Sequence, residues 1–166
     1  MSSDGVPLAE GQLRRRRDRL GDFLDAWGDL TIDDAGESAG RRRLEFVLHA
    51  PGHDLADEIV VRYREYYRRT RVGDWLLAKY AYEYLDIARK RRLAFHMHPI
   101  SSRPLMPHAH CEDADGLADD EGRHHLRAVE LDLREAHETF MRLYASEAGP
   151  DCDSYLPLVV NRAIDD

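Results

Sequence analysis

The stretch IVVRYREYYRRTRVGDWLLAKYAYEYLDI, Ile59 to Ile87, decides the fold. Ile59, Val61, Tyr63 and Tyr67 alternate with Arg62, Arg64 and Arg68, so an extended chain would show one apolar and one basic face. Gly73-Asp74 supplies a turn. A second extended run from Trp75 to Ile87 then places Leu76, Ala78, Tyr80, Tyr82 and Tyr84 on one side. Two strands joined by so short a turn are antiparallel.

The same period of two extends outward in both directions. Leu44, Phe46 and Leu48 alternate with Glu45 and Val47 in a preceding strand that ends at the turn-forming APGHD. After Ile87 the short ARKRR turn leads into a strand from Leu93 to His98. An acidic spacer, CEDADGLADDEG, follows, and His125 to Leu131 reads as a fifth strand. Asp132 and Glu135 form a D-x-x-E start, resembling a capping box, for a helix through about Glu147. Leu133, Ala136, Phe140, Leu143 and Tyr144 give that helix an apolar stripe to lay on the sheet, and Gly149-Pro150 ends it. The SYLPLVV segment near the carboxyl end is expected to add an edge strand or pack on the core.

Ahead of the sheet, Leu13, Leu20, Phe23, Leu24 and Trp27 recur at helical spacing, predicting an amphipathic helix over about residues 8–28. Arg14 to Arg17 lie on its polar side, where such a run either meets a nucleic acid or an acidic partner or, more often, is a solvated face. TIDDAGESAG, small and acidic, reads as a linker. The expected architecture is α+β: an antiparallel meander of about five strands, an amino-terminal amphipathic helix, and a carboxy-terminal helix packed on one face. Its divisions are the helix at 1–30, a linker at 31–40 and a single α+β domain at 41–166.

With 43% hydrophobic and 34% charged residues, the 166-residue chain can bury one core under a heavily charged surface. A net charge of -8 argues against a generic nucleic-acid coat, although it concerns the average and not a patch. Only Lys79 and Lys90 are lysines, so nearly all positive charge is guanidinium, suited to forked contacts with phosphate or carboxylate. No window approaches a membrane span and MSSDGVPLAEGQL has no apolar signal core, so a cytoplasmic protein without a membrane partner is expected. Cys111 and Cys152, the only cysteines, are expected as free thiols.

The chemistry concentrates in FHMHPISSRPLMPHAHC, Phe95 to Cys111. In the strand from Leu93, the side chains of Phe95 and Met97 must face the core. His96 and His98 therefore share the other face, about 7 Å apart at ~3.4 Å of rise per residue. His108 and His110, from a loop or strand start, can join them if that segment folds back. Three uses are open: a zinc site of His96, His98, His108 and His110; acid-base chemistry without a cofactor; or hydrogen-bonding surface residues. The spacing matches no standard zinc finger. Arg62 and Arg64, with Arg68 and Lys79, can share the histidine surface, a workable set for metal-independent RNA cleavage in which Glu65 or Glu83 could replace an imidazole as base. Cys111, beside acidic Glu112-Asp113, lacks a setting that favours thiolate. No nucleophile elbow, P-loop or GxGxxG is present.

This order of motifs resembles the TumE-type family of small toxin-antitoxin proteins. In that family a tyrosine-bearing strand leads to a strand ending in an N-A-P-H-H-like motif, and a P-H-H-x-H-like motif follows. Tyr80-Ala81-Tyr82 matches the first motif and Pro107-His108-Ala109-His110-Cys111 the last, within a similarity covering roughly residues 41–147. The resemblance implies a toxin component, neutralised by a cognate antitoxin protein and acting on RNA. Beside it stands a reading from another class: a non-enzymatic binding module, zinc-stabilised or docking a partner.

Overall fold

The alternating stretch Ile59–Ile87 becomes the middle of a seven-stranded antiparallel sheet whose strands lie side by side in chain order. The computed structural model describes residues 6–49, 59–87, 91–100, 103–113, 124–127 and 129–144. In order these form α1 (Glu10–Asp25), β1 (Asp29–Ser38), β2 (Arg41–His49), β3 (Ile59–Arg69), β4 (Trp75–Asp86), β5 (Arg91–Ile100), β6 (Arg103–Asp113), β7 (His124–Arg127) and α2 (Leu133–Tyr144). The α+β meander with a helix at each end is as the periodicity predicts. APGHD, SYLPLVV, Gly149-Pro150, Cys152 and the spacer beyond Asp113 lie outside the described residues.

Two strands exceed the expected five. TIDDAGESAG is no linker: most of it is β1, an edge strand paired with β2 across a turn at Ala39 and Gly40, both at positive φ. Almost every β1 side chain is exposed, so no apolar alternation marks it. Ladder hydrogen bonds hold it, aided by pairs from Asp34 to Arg42 and Glu37 to Arg69. β6 is the second addition, where the sequence predicts a loop or strand start. β7 covers only the first part of the expected 125–131 strand.

One face of the sheet carries both helices. Leu44, Phe46, Leu48, Val61, Tyr63, Tyr82, Tyr84, Leu93, Phe95 and Ala109 form a buried cluster with Leu13, Leu20 and Leu24 of α1 and Leu133, Ala136, Phe140 and Leu143 of α2. A bulge in β4, where Tyr66 pairs with Lys79 but Tyr67 with Leu77, shifts the alternation by one residue. Trp75 and Leu77 consequently join the core side, in place of the expected Leu76 and Ala78. α1 is pinned at its start by a bridge between Leu8 and Trp75, by the Trp75 indole donating to Glu10 at 2.7 Å, and by Arg42 reaching Glu10 at 2.7 Å. The D-x-x-E box at α2 is formed: Glu135 N–H donates to Asp132 and Asp132 N–H to Glu135, each at 2.9 Å. The arginine run of α1 largely serves its own chain, Arg14 pairing with Glu10, Arg16 with Glu65, and Arg17 with Asp18 and Asp34.

His137 of α2 is fully buried, its Nδ1 sharing a 2.6 Å hydrogen bond with the Tyr63 hydroxyl and its ring packed edge-on against Phe23 and Trp27. Burial pushes the imidazole down from 6.5 to about 4. Because the folded value lies below the unfolded one, this contribution is complete above 6.5 and is lost as pH falls toward 4. Urea unfolding of wild type and His137→Gln at pH 7 and pH 4 is expected to show wild type losing up to about 3 kcal/mol more than the variant. Equal losses would contradict a neutral buried ring.

Candidate functional site

The opposite face of the sheet carries no helix among the described residues and gathers the charged and imidazole side chains. β6 folds back beside β5 so that His96 stands opposite His108 and Ala94 opposite His110. Residues opposite one another in an antiparallel ladder project from the same face, as do residues two apart along a strand. His96, His108 and His110 therefore converge. Ring centroids are 5.8 Å apart for His96 and His108, 5.1 Å for His96 and His110, and 4.6 Å for His108 and His110. His98 pairs with Met106 through its backbone, and its side chain lies outside the described residues.

One strand away, Glu83 is 4% exposed and sits opposite Arg62 on β3 and Ala94 on β5. Its carboxylate accepts from Arg64 of β3 and from Arg92 of β5, and the His96 Nε2 stands 3.6 Å from its Oε1. The small side chains at Ala81 and Ala94 leave room for these long groups to cross the sheet surface. Burial pushes the Glu83 carboxyl up, but His96, Arg92 and Arg64 more than offset that and hold it well below the usual carboxylate range. Glu83 is thus a fixed negative charge that links two guanidiniums to His96, a poor proton acceptor at neutral pH.

Glu65 is absent from this face. It lies opposite Leu44 on the helix side, completely buried. Arg16 of α1 grips it through Nη2 at 2.6 Å and Nε at 3.2 Å, and the hydroxyls of Tyr67 and Tyr82 donate at 2.5 and 2.9 Å. Burial raises its carboxyl, and Arg16 with the two tyrosines brings the net value below the ordinary one. Its task is structural, and the expectation that it could act as base is corrected.

Of the six residues singled out in the sequence, His96, His108 and His110 come together and Arg64 joins them through Glu83. Arg62 shares the face but leans toward Glu45 on the neighbouring strand, 3.5 Å from Nε to Oε1. Arg92 completes the group and is missing from the residues that the sequence singles out. Its signal is the phase of β5, which puts Arg92 on the face of His96 two steps of two residues away. Cys111 points to the core with Leu93 and Phe95, and it is disulfide-bonded, which corrects the expectation of a free thiol there.

One nitrogen from each of His96, His108 and His110 lies within 4.8 Å of the others. Nitrogens bound to one tetrahedral zinc at ~2.1 Å stand ~3.4 Å apart, so the rings must close up to hold an ion. The donor set suits zinc, and the Glu83 carboxylate beside His96 is the kind of outer contact that orients a ligating imidazole. No family model, curated protein or solved structure matches the chain.

Proposed function

We propose that the protein is a TumE-like toxin component that cleaves RNA without a metal on the open face of its sheet, and that a cognate antitoxin protein neutralises it. The observation that carries this reading is the convergence of His96, His108 and His110 from two adjacent strands beside the Arg64–Glu83–Arg92 group. One imidazole takes the 2'-hydroxyl proton as the 2'-oxygen attacks phosphorus. A second gives a proton to the departing 5'-oxygen, leaving a 2',3'-cyclic phosphate and a 5'-hydroxyl. Imidazole suits both tasks because its ordinary pKa of ~6.5 lies near neutrality. Arg64 and Arg92, now shared by one carboxylate, offset charge on the phosphorane, and Arg62, with 38% of its side chain exposed, extends the cationic surface along the RNA. The Cys111 disulfide weighs against a reducing compartment, in which such bonds are rare.

Expression of the wild type is expected to arrest growth, and the His108→Ala/His110→Ala variant, expressed to the same level, is expected not to. Equal arrest by both, or none by either, would sink the reading.

A second reading is favoured by the 4.8 Å spacing of the three ring nitrogens: a zinc-stabilised, non-enzymatic binding module. Zinc there would cross-link β5 to β6. Elemental analysis of the purified protein tests it: one zinc per chain supports this module, and sub-stoichiometric metal removes it.

A further inference from the structure

On the helix side of the sheet, remote in the fold from the histidines, a cavity of about 270 Å³ opens between α1 and the start of α2, lined by Arg16, Arg19, Leu20, Asp132, Leu133 and Arg134. Glu65 already offsets the charge of Arg16, but Arg19 and Arg134 make no ion pair among the described residues, and two such guanidiniums bordering one small cavity gain from an anion between them. Each head is already positioned by another contact. Arg16 is held by Glu65 through Nε and Nη2, Arg19 donates from Nε to the Arg15 carbonyl at 3.3 Å, and Arg134 lies 4.6 Å over the Phe23 ring. Those contacts leave Nη1 of Arg16 and both terminal nitrogens of Arg19 and Arg134 uncommitted. Neither Arg19 nor Arg134 has a carboxylate partner among the described residues. Among the described lining residues Asp132 is the acidic one; its Oδ1 accepts the Glu135 N–H in the α2 cap, which directs part of its charge to the helix start.

We infer that this cavity binds the phosphoryl group of a small phosphate monoester, with Arg19 and Arg134 as the main ligands and Arg16 as a fixed third donor. Guanidinium meets phosphate oxygens with two parallel N–H groups, the geometry that gives such pairs their strength. Leu20 and Leu133 supply apolar walls beside the exposed Arg19 and Arg134. The volume favours a phosphoryl group on a small carrier over a polymer, since sites for larger ligands span ~300 to 1,000 Å³. Pre-positioned side chains also reduce the ordering cost of binding. This site is independent of the RNA-cleaving reading.

Calorimetric titration of the full chain with inorganic phosphate, adenosine 5'-monophosphate and adenosine tests it. Phosphate and the monophosphate are expected to bind saturably, one per chain, and adenosine is expected not to bind. Tighter binding of the monophosphate than of phosphate would place the carrier in the cavity too, and equal binding would confine recognition to the phosphoryl group. Arg19→Gln/Arg134→Gln is expected to weaken binding at least about tenfold while the fold is retained, since neither side chain makes an ion pair among the described residues and only the Phe23 and Arg15 contacts are lost. Arg14→Gln, on the same helix but away from the cavity, and His108→Gln/His110→Gln are expected to change it less than about twofold. No saturable binding of either phosphate probe, adenosine binding as well as its monophosphate, or the large loss appearing in the histidine variant instead, would overturn the assignment.

Discussion

Replacing Arg16 with methionine is expected to destabilise the fold by about 3 to 5 kcal/mol, the cost of leaving a buried carboxylate without its cation. Glu65 is fully buried among tyrosines, and Arg16 supplies its only guanidinium among the described residues. Methionine retains most of the aliphatic stem, so the loss reports the charge more than the packing. The pH dependence carries the sign. In the wild type the Glu65 carboxyl lies below its ordinary value of 4.5, so its contribution is present above that value and lost as pH falls. In the variant burial acts unopposed by a cation and raises the carboxyl, so the folded state takes up a proton and recovers as pH falls. The gap in unfolding free energy between the two proteins should therefore narrow from pH 8 to pH 4. A gap under about 1 kcal/mol at pH 8, the size of an exposed ion pair, would show that Glu65 is not charged in the fold.

The second large effect concerns the histidines. His96→Gln, His108→Gln and His110→Gln each test a proton-transfer role, and loss of an acid or base slows cleavage by about 10²- to 10⁴-fold. Two of the three substitutions should fall in that range, with the pH dependence of the rate losing one limb in each. The third imidazole, serving position rather than proton transfer, should cost less and leave the bell intact. Combining the two severe substitutions should cost little more than either alone, because acid and base act as a unit. Three uniformly mild losses would remove general acid-base catalysis from this face.

How much of this was legible in the residues varies by element. The strands β2 to β5 announce themselves because one side of each is apolar and the other is not, and α1 and α2 do so through their stripes. β1 gives no such signal: as an exposed edge it buries almost nothing, and its ten residues look like a linker. The bulge in β4 is silent as well, since Leu76, Leu77 and Ala78 are all apolar and fit either phase. For the site, the shared face of His96 and His98 follows from the strand period. The convergence of His96 with His108 and His110 depends on the fold-back of β6, a long-range pairing that local pattern does not encode. Glu65 was readable in principle. It occupies an apolar phase of β3, where a carboxylate needs a buried cation, and the arginine-rich helix ahead of the sheet was the place to look for one.

The activity proposed for the imidazoles of β5 and β6 is metal-independent RNA cleavage. The most direct measurement is incubation of the purified protein with a single-stranded RNA in excess chelator, followed by analysis of the product ends. Cleavage is expected at an undiminished rate, with 2',3'-cyclic phosphate and 5'-hydroxyl ends, and none is expected when a 2'-deoxy residue replaces the nucleotide at the cleaved position. Intact RNA under all conditions, or cleavage that chelator abolishes and zinc restores, would contradict it.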